Sequence, residues 1–565
     1  MDLKGMMIIK NKGLIFALLL FVLVLQACTD DSNVDEESGD SGGESSAGGD
    51  VTIGMAEDPI TMDPHGSNDS ASSQVRRNIY EPLVFQTVDM ELEPALAESW
   101  EAAEDDVWNL KLREGTTFHN GSEFTAEDVK ATLDRVRDPA VGSAVAFLFE
   151  MISEVEVVGD YEVNLHTEYP FAPLPSHLAH STAGIISKEI IDEDYQAALD
   201  EAGMDMTAEE YYELRAEGGS EYEEVSDQLS EYVGQVLGSE TDGTNHLMLE
   251  SRSAGEEVVT RKFEDYQGGE RNFETVTFRV IPESGARMAE LETGGIQIAT
   301  DVDSSSASRV EEGEDTELVE KESVRMTYLG MNTQKAPFDD VKVRQAISHA
   351  IDREEIIAGV YDEMGIPAKG PLAPDVWGYN EGLEGTSYDM ERAKELLSET
   401  DVADGFSTTI WVNEDPQIID TAIYIQEKLS ELNIDVEIEQ FEWGAYLDTL
   451  ANGEQDMYIL GWTTVTGDAD YGLYALFHSD SIGASGNRAF YSNTELDALL
   501  DEGRSETDED IRYDVYTEAQ EILIEEVPMA YIFHNNFMVG VNSANISGVD
   551  IDPSGAVRLD DVTFE

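Results

Sequence analysis

Basic residues are scarce in this sequence: 33 lysines and arginines stand against 120 aspartates and glutamates over 565 residues, a formal net charge of −87. Nucleic-acid affinity comes mainly from Lys and Arg neutralising phosphates, so this deficit argues against a nucleic-acid partner and, by the same charge logic, against an anionic-lipid-binding face. Self-repulsion of this size loosens a compact chain in dilute buffer. Near ~1 M salt the Debye length falls to ~3 Å and screens it. The imbalance therefore reports a saline or alkaline working environment rather than a ligand. Cysteine is scarcer still: Cys28 stands alone, so no internal disulfide is possible.

Catalytic and cofactor motifs are missing too. There is no G-x-x-x-x-G-K-[ST] and no G-x-G-x-x-G opening a helix, hence no phosphate cradle. There is no G-x-S-x-G elbow, no H-E-x-x-H and no D-x-[DN]-x-[DN]-G calcium loop. Of nine scattered histidines, His177 and His180 are three apart and would chelate a metal if helical, but loop or surface histidines are the commoner reading. Acid pairs carry little information among 120 acids. Asp468 and Asp470 read as loop or ligand-binding residues before they read as a glycosidase pair. The expectation is a protein with no metal, no cofactor and no enzymatic activity.

What is present begins with an address. Lys4, Lys10 and Lys12 precede an apolar run from Leu14 to Leu25 that ends at Gln26-Ala27-Cys28. That is a basic region, a hydrophobic region and a small residue before the cleavage point, and the run falls short of the ~20 residues a bilayer span needs. Leu25 to Cys28 resembles a bacterial lipobox, which implies lipidation of Cys28; the alternative is an ordinary secretory signal with an incidental cysteine. No Arg-Arg pair precedes the run, which favours general secretion over twin-arginine export. The following stretch, rich in Asp, Glu, Ser and Gly, cannot bury enough surface to order itself and reads as a tether.

The remainder has an ordinary hydrophobic content, 41% over the chain, and is too long for a single core. Strand patterns at Val51–Met55, Trp108–Arg113, Val276–Ile281, Thr327–Met331, Thr408–Val412 and Val436–Ile438 alternate with helical patterns at Ser72–Tyr80, Ala286–Glu292, Val341–Ile351 and Ile418–Leu432. Thr125 reads as a helix cap with Asp128 three residues on. Such alternation predicts α/β layers around a largely parallel sheet. The Glu- and Tyr-dense stretch from Asp192 to Ser239 reads as an acidic surface insertion of short, solvated helices, with partial disorder as the alternative.

Six segments in order resemble landmark stretches of the family 5 extracellular solute-binding proteins, which serve peptide-type ABC importers. They are KLREGTTFHNGSEFTAEDV (111–129), FRVIPESGARMAELETGGIQIATDV (278–302), YLGMNTQKAPFDDVKVRQAISHAID (328–352), GPLAPDVWGYN (370–380), FEWGAYLDTLANGEQDMYILGWTTVTGDADY (441–471) and GNRAFYSN (486–493). The resemblance implies an α/β, two-lobed periplasmic-binding-protein-like type II fold with an additional subdomain on the first lobe, and lobes that hinge shut on a ligand. The expected organisation is a signal peptide and lipobox over 1–28 and an acidic Ser/Gly tether over 29–50. A first lobe then spans 51–280, with the insertion at about 192–239; a second lobe spans 281–515, and 516–565 returns to the first. The expected partners are a small peptide-like ligand, the permease and ATPase complex of an ABC importer, and the membrane through the lipid anchor. The protein is expected to act as a monomer on the extracytoplasmic face of the cell membrane.

The resemblance also implies a ligand site, with departures. Trp462 occupies the place of a cleft tryptophan, but Val465 stands where dipeptide-binding members carry the aspartate for the ligand amine. Trp411 to Asp415 lacks their carboxylate-binding arginine. Gly243-Thr244-Asn245-His246-Leu247 departs from a family-wide Gly-Thr-Gly-Pro-Tyr stretch. Thr466 to Tyr471, and Asp63-Pro64 with Asn68-Asp69-Ser70, instead resemble the glutathione-binding branch. The candidate ligand-binding residues are Trp462, Thr463, Asp468, Trp377, Asn68, Asp69, Arg488 and Tyr491. Asp468 either meets the ligand amine or caps the helix that follows; Arg488 either binds a ligand carboxylate or makes a salt bridge. Other solutes on the same scaffold (a nickel chelate, haem, an oligosaccharide) and a secreted envelope-anchored hydrolase are the competing readings.

Overall fold

The computed structural model describes residues 49–143, 145–483 and 486–564. The expected signal peptide, Cys28 and the expected tether, apart from Gly49 and Asp50, lie outside them. Among the described residues no helix is long and apolar enough to cross a membrane.

One eleven-stranded sheet is shared by two lobes. In the first, Gly49–Met55 runs parallel to Phe273–Val280 and to Ile298–Ala299, and the hairpin of Leu247–Ser253 and Glu257–Lys262 extends the edge antiparallel. In the second, Ser407–Val412 runs parallel to Asp435–Gln440 and to Met457–Thr463. Helix Pro416–Ser430 shows why the sequence folds as it does locally. Asp415 caps it by accepting from Gln417 and Ile418 N–H, and Pro416 supplies a first-turn residue that needs no donor. Its Ala422, Ile425 and Leu429 then join Ile410, Val412 and Ile459 in the core.

The sheet is mixed rather than largely parallel. Two long strands, Thr316–Met331 and Met529–Asn542, pair antiparallel with each other and run from one lobe into the other. Met457–Thr463 adds antiparallel to the first and Ile298–Ala299 to the second. A chain that crosses between lobes and returns beside itself must reverse direction, which the strand–helix alternation does not disclose. The ladder runs from Thr316 opposite Asn542 to Glu322 opposite Asn536, breaks, and resumes with Met326 opposite His534. Inside the break the Ser323 hydroxyl donates to the Asn535 carbonyl. An interruption at matched positions of a two-stranded ribbon is where φ/ψ changes are most easily absorbed by a few residues.

The lobe boundaries expected at 280 and 515 are displaced by this ribbon. Ile298 and Ala299 pair with Ile53 and Gly54, so the segment after 280 stays in the first lobe. Tyr516, Ala519 and Leu523 of helix Glu509–Glu526 pack with Met326 and Tyr328, so the segment after 515 stays in the second. The borders fall inside continuous strands, where no turn or linker marks them.

Ala97–Glu104, Val107–Leu112, Glu162–Thr167 and Ile152–Gly159 form a separate four-stranded antiparallel sheet on the first lobe. Helix Ala126–Val136 covers it, beginning at the Thr125 capping box, in which the Asp128 carboxylate accepts from Thr125 N–H at 2.9 Å. The acidic stretch also differs from expectation. Its helices Lys188–Glu201, Ala208–Glu217 and Ser220–Leu229 bury Tyr195, Tyr211 and Leu229 completely. The buried Asp138 carboxylate, outside the stretch, accepts from the hydroxyls of Tyr195 (2.7 Å), Tyr211 (3.0 Å) and Tyr222 (3.0 Å) and from Arg215 (3.1 Å). Outward glutamates mask an inward phenol face whose acceptor is distant in sequence.

Candidate ligand cleft between the lobes

The second-lobe edge nearest the hinge is built by three strands. Met326 stands opposite both Trp462 and His534, and Arg325 opposite Thr463. Residues directly opposite in an antiparallel pair share a face, so Trp462, Met326 and His534 form one row and Thr463 and Arg325 another. Arg325 lies over Gly461, where a β-carbon would come within 2.3 Å of Nη2, and its Nη1 donates to Thr463 Oγ1 at 3.4 Å. Among the described residues Arg325 forms no ion pair with a carboxylate. Burial draws its pKa down; the negative field of Asp415 is the first influence opposing that, and Asp301 of the first lobe also contributes.

First-lobe carboxylates share the electrostatic field of this cation. The Glu57 carboxyl is raised by burial, then by Asp301 and Asp69, and lowered by Arg325. Asp69 also caps helix Ser70–Arg76, accepting from Ser72 N–H at 2.8 Å. The loop that presents these residues is held by wholly buried Arg135, whose guanidinium binds both oxygens of Asp63 (3.0 and 2.7 Å) and Asp194 (3.2 Å). A buried fork between two acids fixes a loop more firmly than surface pairs do.

The lobes meet on both flanks. On one, Trp462 packs 5.2 Å from Tyr471, which stacks at 6.0 Å on Phe147 of the first lobe and accepts from Asn68 Nδ2 at 3.5 Å. Gln86 Nε2 donates to the Thr466 carbonyl at 2.9 Å. On the other, Gln417 Nε2 donates to Ser304 Oγ at 2.9 Å. The Trp462 indole N–H and His534 Nε2 are buried without a hydrogen-bond partner among the described residues. Buried polar atoms are normally satisfied, so the indole donor and the imidazole acceptor mark polar positions at the interface.

The other sequence candidates fare unevenly. Trp377 adjoins the rim through its backbone, donating to the Gly467 carbonyl at 2.8 Å and accepting from Ala469 N–H at 3.0 Å, and Arg512 lies 4.2 Å over its ring. Asp468 is the helix cap of the two alternatives: it accepts from Asp470 N–H at 2.9 Å, and Arg512 takes both its oxygens at 2.6 and 2.8 Å. That pairing leaves it committed within the second lobe. Arg488 and Tyr491 are not brought to the rim. Burial pushes up the phenols of Tyr328, Tyr446 and Tyr458, and the Arg488 guanidinium beside them opposes it, which puts Arg488 among second-lobe core tyrosines. Tyr491 is 4 % exposed in the same core, its hydroxyl accepting from Asn493. Val465 packs against the first-lobe subdomain core. The rim cation missed in the sequence is Arg325. Trp411 to Asp415 has no arginine, but a different strand sets one in the field of Asp415. Its only sequence signal is a basic residue two positions before Thr327, where the apolar strand pattern begins.

The sequence profile described as bacterial extracellular solute-binding proteins, family 5 Middle, matches residues 91–484, more than half of the chain. The glutathione-binding protein GsiB of Escherichia coli K12 is 28% identical over 525 residues, covering 91% of this chain and 94% of its own. The periplasmic binding protein DppA of Helicobacter pylori, solved with the peptide STSA, superimposes with a TM-score of 0.75 at 28% identity, over 92% of this chain and 98% of its own. The oligopeptide-binding protein AppA of Bacillus subtilis, solved with a nonapeptide, shares the fold with a TM-score of 0.75 at 24% identity, over 92% and 99% of the two chains.

Proposed function

The chain belongs to the family 5 bacterial extracellular solute-binding proteins, and on that premise we propose that it captures a short peptide or glutathione-like peptide outside the cytoplasm and passes it to an ABC importer. The observation that carries this reading is the cleft edge at the hinge. Arg325, free of ion pairs among the described residues, faces first-lobe Glu57 and Asp301 across it, with the Trp462 indole alongside. A zwitterionic peptide fits that arrangement. Its carboxylate goes to Arg325 and Thr463, since guanidinium binds carboxylate as a fork. Its amine goes to the first-lobe carboxylates, with Asn68 and Asp69 at their rim. Its apolar parts lie on Trp462. The relatives named for glutathione and for peptides support this ligand class. Closure desolvates the ligand, and opening releases it chemically unchanged. Lipidation at Cys28, with the acidic tether behind it, keeps the receptor at the membrane as a monomer, and the strong negative charge suits it to concentrated salt.

The test pairs a ligand change with a protein change. Trialanine and trialanine amide are titrated against wild type and Arg325→Ala in molar salt, with glutathione, a nickel–histidine complex and oligosaccharides as further probes. Wild type should prefer the free acid by about tenfold or more, ~1.4 kcal/mol, and Arg325→Ala should lose the preference. Binding of sugars or the nickel complex alone would remove the peptide reading.

A further inference from the structure

His177 and His180 take no part in the rim described above, yet both stand where the lobes meet. His177 ends the short first-lobe helix Leu174–His177 and is 2 % exposed. Its Nδ1 lies 2.8 Å from the Leu148 carbonyl. A carbonyl only accepts, so the neutral ring carries its proton there and leaves Nε2 bare. That Nε2 is buried without a hydrogen-bond partner and points across the interface to Asp470 Oδ2, 3.6 Å away on second-lobe helix Ala469–Phe477. In the neutral ring, two groups that can only accept thus face each other between the lobes.

We propose that His177 is a positioning residue for lobe closure: a second proton on its ring lets Nε2–H donate to Asp470 across the interface, so the clamp holds shut more firmly as the pH falls. The inference rests on the solute-binding reading above. The surroundings suit a charged donor. Asp470 is 1 % exposed and held ionised far into acid; burial opposes this, but Arg504 and then His177 outweigh it. Arg504 binds both Asp470 oxygens at 3.1 Å and lies over the rings of Tyr474 and Phe171. Its carbonyl accepts from first-lobe Ala172 N–H at 3.1 Å, so the backbone already joins the lobes beside this pair. The remaining ionisable groups around it are His180, Tyr169 and Glu150 on the first lobe and, on the second, Asp501, Arg512 and Tyr516, whose hydroxyl donates to Asp470 Oδ1 at 3.5 Å.

Few other histidines compete for the role. Burial pushes His65, His180 and His246 down to about 3 and His119 and His534 down to about 4, so all five are neutral near neutral pH. His166 pairs with Glu156 within the first-lobe subdomain, and His349 and His478 bond within the second lobe. Among these histidines, His177 and His180 alone reach across the interface, and His180 is held neutral.

The experiment reads closure without a ligand, by small-angle scattering of the full chain in molar salt between pH ~8 and ~5. Reduced glutathione and trialanine are then titrated at both ends of the range. The wild-type radius of gyration should fall on acidification, and probe affinity should rise by about fivefold or more. His177→Gln keeps a donor for the Leu148 carbonyl but gains no charge, so both responses should vanish, whereas His180→Gln should retain them. A wild-type radius that ignores pH, or a His177→Gln protein that still responds, overturns the proposal; should His177→Gln misfold, His177→Asn takes its place with the same expectations. If scattering follows His177 while no peptide binds at any pH, the latch stands and the ligand assignment falls.

Discussion

A missing side chain at residue 461 makes room for a charged one at 325. A β-carbon on Gly461 would stand 2.3 Å from Arg325 Nη2, so Gly461→Ala must displace the guanidinium while leaving the strand backbone intact. The expected outcome is a peptide-acid affinity about tenfold weaker, read by titration calorimetry, with the melting temperature nearly unchanged. A variant that binds like wild type would remove Arg325 from the ligand contacts. The residue scale is also where legibility in the sequence was most uneven. Trp462 and Thr463 were within reach of a motif because the strand that carries them is local. Arg325 was not, since the role proposed for it comes from standing opposite Thr463 on a neighbouring strand, and register is invisible along a single chain. Capping and ligand binding need the same residue type, so the local sequence does not decide between the two roles of Asp468. The deciding partner, Arg512, lies 44 residues away. Arg488 and Tyr491 offer suitable chemistry, but packing draws Tyr491 into the second-lobe core and sets the half-buried Arg488 beside its tyrosines.

Helices and strands were easier to read where their signals are local. Thr125 with Asp128 marks the start of helix Ala126–Val136, and Asp415 with Pro416 that of Pro416–Ser430. The two long strands were largely missed. Only the last part of Thr316–Met331 alternates visibly, because its first part carries Glu317, Glu320 and Glu322 toward solvent. The three helices of the acidic stretch read as solvated for a similar reason, although they converge on Asp138. Asp138→Ala leaves three buried or half-buried phenols and Arg215 without their common acceptor. Removing one member of a buried charged network costs about 3–5 kcal/mol, so the urea midpoint should fall accordingly. Tyr222→Phe, which deletes one bond and keeps the acceptor, should lose only about 1 kcal/mol. Equal losses from the two variants would show that the carboxylate does not hold the helices together.

At the scale of the whole molecule the dominant quantity is −87 charges on a body of ordinary core composition. The charges repel mainly at long range, and Debye screening contracts that range to ~3 Å at ~1 M salt. Calorimetric melting should therefore shift upward by several degrees between dilute buffer and molar potassium chloride, while equal osmolality of sorbitol should reproduce little of the gain. A melting temperature indifferent to salt would refute self-repulsion as the limiting factor. The two-lobed α/β plan was legible from collinear segments, but where one lobe ends and the other begins was not, because the ribbon belongs to both. That ribbon also dictates an order of events during synthesis. Met529–Asn542 is an interior strand of both lobes, pairing Thr316 to Glu322 on one side of the break and Met326 to Gly330 on the other. Neither lobe's share of the large sheet is complete until residue 542 has been made, so the two lobes finish together, long after the separate four-stranded sheet has all its strands.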